Sequence, residues 1–301
     1  MRNIRSGARL ALLTLLALSL SLAFTASAQK TETQQEGDLD PSILTLPILQ
    51  DGEAVEATFD TNLDAQLYAF NATEGDVITI SMTQTDESSV LDPYIVVMTA
   101  MGDVIARDDD SGEEVGLSSL ITDLELPETG SYFILATTYQ AINEGSLEQG
   151  EGEEQEGLNY EIEVSGITQP EEITEGFQYF AGELEVGQPE VQIELTADAP
   201  IFFVTFMAEE GDSVTVSASG ADENSDGVSD IDTLLYVFDF QGNRIAVDDD
   251  SGSDLTYSSQ IGGLEIPASG LYLVFVTSYN FDELPDEGIE PTEGMITFSI
   301  E

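Results

Sequence analysis

The chain has 301 residues, with 60 acidic and 6 basic side chains and neither Cys nor His. The missing Cys excludes a disulfide framework, thiolate metal sites, a Cys nucleophile and a lipidated cysteine, and the missing His removes the usual general base and zinc ligand. So acidic a chain is a poor partner for nucleic acid or an anionic membrane surface, and divalent cations are its natural partners; the acid excess also reads as a solubility or high-salt adaptation.

In chain order, residues 1–28 read as a signal peptide: Arg2, Arg5 and Arg9, an apolar run from Leu10 to Phe24, then Ala26-Ser27-Ala28 as a small-residue cleavage site. Cleavage leaves 273 residues, with no later segment apolar enough for membrane insertion, and Lys30, Arg107 and Arg244 against 60 acids give a formal charge of −57. Residues 29–44 read as a disordered leader.

The body of the chain is a repeat. LDPYIVVMTAMGDVIARDDDSG at 91–112 matches IDTLLYVFDFQGNRIAVDDDSG at 231–252, an offset of 140. The register persists in Leu124-Glu-Leu-Pro-Glu-Thr-Gly-Ser-Tyr132 against Leu264-Glu-Ile-Pro-Ala-Ser-Gly-Leu-Tyr272. Upstream, Glu74-Gly75-Asp76 matches Glu210-Gly211-Asp212 at offset 136, which puts a four-residue insertion within Gly220 to Asp230.

Alternating apolar runs predict strands at 54–60, 65–71, 77–82, 94–99, 118–124, 131–138 and 159–165, with counterparts at 190–196, 200–207, 213–217, 234–240, 255–262, 271–278 and 295–300. No stretch sustains a helical period. Seven or eight strands per copy predict an all-β chain of two tandem antiparallel β-sandwich domains, 45–167 and 177–301, joined by a linker at 168–176. The acidic segments Glu144 to Gly157 and Asp282 to Gly294 read as solvated connections.

Both copies follow one order: an apolar strand, Glu-Gly-Asp, an Asp opening an aromatic strand, a Gly turn, an Asp-rich run, then Leu-x-x-Pro-x-x-Gly-x-Tyr. That order resembles the bacterial pre-peptidase C-terminal (PPC) domain family, over roughly 50–165 and 185–301. The resemblance implies a compact, jelly-roll-like sandwich, an accessory role beside a secreted peptidase, and calcium binding as in some relatives. No protease domain accompanies the repeat.

The residues themselves point to cation chemistry. Asp108-Asp109-Asp110 and Asp248-Asp249-Asp250 each set three carboxylates in a row ahead of Ser-Gly, and a hard divalent ion relieves their repulsion. Ca²⁺ suits such a loop because it takes six to eight oxygen ligands in flexible geometry. Asp92 and Asp232 stand 16 residues before each loop and Glu114 and Asp254 six after its first Asp, so the wider acidic pattern repeats. The alternative is an ordinary acidic β-turn, for which Asp and Gly are common residues. In the insertion, Asp222, Asn224, Asp226 and Asp230 resemble the first half of a calcium loop, but Thr233 stands where an EF-hand needs Glu; a polar hairpin tip is the other reading. The aromatics Tyr94, Tyr132, Tyr139, Phe238, Tyr272 and Tyr279 fit packing better than a glycan platform.

These features predict a secreted, non-catalytic, calcium-stabilised module that binds an extracellular protein, a peptidase or a polysaccharide. An accessory or assembly factor for a secreted peptidase is the alternative, and a carboxylate-dependent hydrolase a weaker one.

Overall fold

The computed structural model describes residues 46–85, 90–100, 102–112, 117–143, 158–170, 184–196, 200–222, 227–252, 255–279, 281 and 293–301. The signal peptide, the leader, most of the linker and most of both acidic connections therefore lie outside the described residues.

Eight strands form the first sandwich: β1 (Val55–Thr58), β2 (Gln66–Ala72), β3 (Val77–Gln84), β4 (Pro93–Thr99), β5 (Val104–Asp108), β6 (Ser119–Glu125), β7 (Gly130–Thr138) and β8 (Asn159–Ser165). The second has β9 (Val191–Leu195), β10 (Ile201–Ala208), β11 (Ser213–Gly220), β12 (Thr233–Phe238), β13 (Arg244–Asp248), β14 (Ser259–Glu265), β15 (Gly270–Ser278) and β16 (Gly294–Ile300). The sheets run β1-β8-β3-β6 and β2-β7-β4-β5, then β9-β16-β11-β14 and β10-β15-β12-β13, with antiparallel pairing between these strands. This is the jelly-roll order, reproduced in the second set by adding eight to every strand number.

Three details depart from the sequence expectation. The short edge strands β5 and β13 were not expected, because Val104-Ile-Ala-Arg-Asp108 and Arg244-Ile-Ala-Val-Asp248 do not alternate polar and apolar residues. β14 starts at Ser259 rather than 255, because Tyr257 takes a left-handed φ of 67° and turns the chain there. One short helix, α1 (Tyr139–Asn143), follows β7, too brief for a periodic pattern to announce.

The repeat extends to backbone irregularities. β3 and β11 each slip register by one residue against β6 and β14, and the bulged residue has positive φ in both: Asp123 at 55° and Gly263 at 64°. Asp is among the few non-glycine residues that enter this region readily, so two different residues meet one demand. The Tyr of the Pro-x-x-Gly-x-Tyr element also earns its place twice: Tyr132 Oη donates to Glu128 O at 2.7 Å and Tyr272 Oη to Ala268 O at 2.5 Å. Each bond ties the entry of a central strand to the turn before it.

Each sandwich has its own core, one around Tyr68, Phe70, Ile95, Ile134 and Tyr160, the other around Phe206, Leu235, Val274 and Phe298. A third apolar cluster lies between them. Leu67, Tyr94, Val96, Met98, Phe133 and Leu135 of the β2-β7-β4-β5 sheet pack on Phe203, Tyr236, Phe238, Leu273 and Phe275 of the β10-β15-β12-β13 sheet. Phe133 and Phe203 lie 5.4 Å apart between ring centroids, and Phe203 meets Phe275 edge-on at 4.6 Å. The two inner sheets are thus covered on both faces, which is why β4 and β12 are buried at every position.

Backbone bonds seal this junction. Leu67 N donates to Gly242 O at 2.9 Å, Arg244 N to Ala65 O at 3.0 Å, and the largely buried Arg244 pairs with Asp64 at 3.4 Å. Gly242, at φ 86°, leaves only 2.8 Å between a notional Cβ and Leu67 O; Gly102, at φ 91°, is held the same way against Ile201 O at 2.5 Å. Each turn glycine of one sandwich therefore presses on the second strand of the other, β2 or β10, and the four sheets form one stack.

Candidate functional site

The Asp-rich loops follow β5 and β13 and are built to one plan. Asp108 Oδ2 accepts from Ser111 N at 3.1 Å and from Leu120 N at 2.6 Å; Asp248 Oδ2 accepts from Ser251 N at 3.2 Å and from Gln260 N at 2.6 Å. The first Asp of each triplet thus turns the loop and fastens it to the next strand. Gly112 N and Gly252 N close the loops by donating to Ser118 O and Ser258 O, each at 2.7 Å. At the base, Tyr139 N donates to Asp92 O and Tyr279 N to Asp232 O, each at 2.8 Å.

The carboxylates feel one another. Burial, then the charges of Asp109 and Asp110, raise the Asp92 pKa above the ordinary range. The Asp232 carboxyl is pushed up to about 6 by burial and by Asp250 and Asp249. Burial also raises Asp248, against the hydrogen bonds from Ser251 and Gln260 that lower it. The sequence-predicted Asp92, Asp109 and Asp110, and Asp232, Asp249 and Asp250, are therefore brought within electrostatic reach at the same end of their sandwich.

The loops differ in depth. Asp108 and Asp109 are half-buried, whereas Asp248 and Asp249 are buried, and Asp248 Oδ1 has no hydrogen-bond partner. The insertion lies beside the deeper loop: Ser229 N donates to Thr256 O at 2.8 Å and Thr256 N to Gly227 O at 3.0 Å. Asp222 Oδ2 accepts from Gly227 N at 3.1 Å, and Asp230 N bonds Ala221 O at 2.7 Å.

The donors fit a hard cation in kind, being carboxylate oxygens, one of them buried and unpartnered. Among the described residues, however, no three acidic side chains are gathered closely enough to hold a metal ion. Glu114, Asp254, Asn224 and Asp226 lie outside the described residues. An open hollow of about 650 Å³ sits at the other end of the first sandwich, formed by Thr73, Gly75 and Leu126–Pro127 with the exposed Glu74 and Glu125.

No known protein family and no curated protein matches the chain. Among solved structures it is similar to the pre-peptidase C-terminal domain of collagenase from Bacillus anthracis, at 15% identity and TM-score 0.29, covering 44% of this chain and 99% of that one. It is also similar to a secreted-protein candidate from Eubacterium rectale, at 11% identity and TM-score 0.28, covering 92% of this chain and 85% of that one. The jelly-roll architecture rests on the strand order and register above. Among the described residues, no helix is long and apolar enough to cross a membrane.

Sequence reasoning missed the junction between the sandwiches. Its signal was present in Tyr94-Ile-Val-Val-Met98 and Leu234-Leu-Tyr-Val-Phe238, apolar at every position rather than every second one, the mark of a strand covered on both faces.

Proposed function

We propose that the chain is an extracellular, non-catalytic binding module whose working surface is the loop-bearing end of each sandwich, stabilised there by calcium. The observation that carries the reading is the duplicated loop plan, in which equivalent residues make equivalent backbone bonds around clustered carboxylates 140 residues apart. A turn that served only to reverse the chain would not require Asp92 and Asp232 to stand beneath it, with their ionised forms disfavoured by burial and by like charge. A divalent cation offsets that cost and supplies the missing partner of Asp248 Oδ1. The absence of His and Cys and the loops' surface position favour binding over turnover.

Thermal unfolding in EDTA, in millimolar Ca²⁺ and in matched Mg²⁺ tests this reading. Calcium held only by the folded chain at a hundredfold excess over its Kd adds about 2.7 kcal/mol of stability. Equal melting temperatures in the three buffers would refute calcium stabilisation.

A further inference from the structure

We infer that the molecule is two-headed, its loop-bearing ends pointing in opposite directions along the stack, and that each head takes a cationic segment carrying apolar side chains, so that one chain joins two partner molecules. This rests on the loop ends being the working surface, as proposed above.

Register fixes the directions. In the first sandwich the end of β5 pairs with the start of β4 (Asp108 with Ile95), which pairs with the end of β7 (Pro93 with Thr138), which pairs with the start of β2 (Ala136 with Gln66). The start of β2 therefore lies at the Asp108 end. In the second sandwich Asp248 pairs with Leu235 at the start of β12, whereas Arg244 pairs with Phe238 at its end, so the Gly242 turn lies at the end away from the acidic loop. The junction bonds the start of β2 to that turn, through Leu67 with Gly242 and Arg244 with Ala65. Reciprocally, the β4–β5 turn at Gly102 abuts Ile201, which pairs with Thr277 at the acidic-loop end of the second sandwich. The loop end of each sandwich thus adjoins the turn end of the other.

Both heads expose apolar side chains at one register position, Leu117 at 46% and Tyr257 at 44%. The first head adds Val90 and Tyr139, both exposed and both beside Asp92: Val90 lies two residues before it, and Tyr139 is bonded to its carbonyl. Of the eight exposed large hydrophobic residues among those described, Val90, Leu117 and Tyr139 lie at the first head, and Tyr257 and Met295, next to the Ile296 that pairs with Gly220 at the end of β11, lie at the second. Tyr257 holds its place at a left-handed φ of 67°, with its carbonyl accepting from Thr233 N at 3.1 Å.

Charge selects the partner. Against 60 acids, Arg244 is engaged with Asp64 in the junction and Arg107 donates to Tyr94 Oη at 3.1 Å. The surface field is negative at both heads, and a cationic segment is steered to them.

The test uses the full secreted chain and a short peptide of alternating lysine and leucine, titrated calorimetrically in Ca²⁺ and in EDTA, with agglutination of peptide-coated beads as the readout of bridging. Two peptides per chain and agglutination are expected. Val90→Ser with Leu117→Ser abolishes one site, and Tyr257→Gly abolishes the other; each alone halves the stoichiometry and ends agglutination, and the combination removes binding. Tyr257→Gly suits the local φ, so its melting temperature is unchanged or higher, separating lost binding from lost fold. One site per chain, no binding, or binding undiminished in the combined variant overturns the inference. A calcium-dependent rise in melting temperature without peptide binding would overturn it while leaving the calcium reading intact; peptide bridging without calcium stabilisation would do the reverse.

Discussion

The two acidic loops share a sequence, a backbone plan and a position in the jelly roll, yet the second is the more deeply set. Asp248 and Asp249 are buried where Asp108 and Asp109 are half-buried, and Asp232 has its pKa pushed up to about 6. The difference accompanies the insertion, whose Gly227 to Ser229 segment hydrogen-bonds to the turn at Thr256 above the loop. The same motif is thus solvated differently in its two settings. Carboxylate chemistry depends on that solvation more than on spacing, because burial penalises the charged form directly.

The strongest challenge to treating the copies as comparable halves comes from the junction. Phe275 is fully buried against Phe203 and Phe238 in the shared apolar cluster, so Phe275→Ala should cost about 3–5 kcal/mol in urea unfolding. A single transition displaced as a whole is expected, since the cluster belongs to both sandwiches. Two transitions with only one moved would show that the halves unfold independently.

A smaller effect sharpens the likeness. Tyr132→Phe and Tyr272→Phe each remove a bond to a turn carbonyl, and each should cost about 0.5–1.5 kcal/mol, Tyr132→Phe the more because Glu128 N also donates to Tyr132 Oη at 3.2 Å. A larger loss in Tyr272→Phe would mean that the turns carry different loads despite their common sequence.

The finest comparison sets Asp232 against Asp92 in EDTA. The folded Asp232 binds its proton more tightly than the unfolded chain does, so its contribution to stability falls as pH rises from about 4 to about 6 and stays low above that. Asp232→Asn should flatten that slope and raise stability at pH 7 by less than about 1 kcal/mol, solvent screening of a partly hydrated group limiting the gain. Asp92→Asn should act in the same direction. An unchanged pH profile in Asp232→Asn would remove the assignment of that carboxyl as the strained member of the second loop.

Much of this was legible in the chain. The constant offset from Leu91 to Tyr272 announced a repeat, period-two runs such as Val77-Ile-Thr-Ile-Ser-Met82 announced half-exposed strands, and Asp and Gly marked the turns. Local chemistry sufficed because one covered face leaves a period-two trace. β5 and β13 escaped because edge strands are defined by the neighbour they pair with, and their own residues carry no alternation. For the site, the repeated spacing of Asp92 and Asp232 to their loops pointed to a shared geometric role, and the structure sets each within electrostatic reach of the second and third Asp of its loop. That Asp108 and Asp248 are engaged by backbone N–H groups was not readable, because it depends on Leu120 and Gln260 arriving from another strand.

The sequence by itself determined the duplication, the β class and the acidic character of the loops, since each is a property of neighbours along the chain. Only the tertiary structure decided that the sandwiches meet through their inner sheets, that the loops face opposite ways, and that one is more buried than the other. Those outcomes hang on contacts such as Phe133 with Phe203 and Leu67 with Gly242, between residues separated by about 70 and 175 positions. Burial and direction are set by what packs against a segment, and no local pattern of residues encodes that partner.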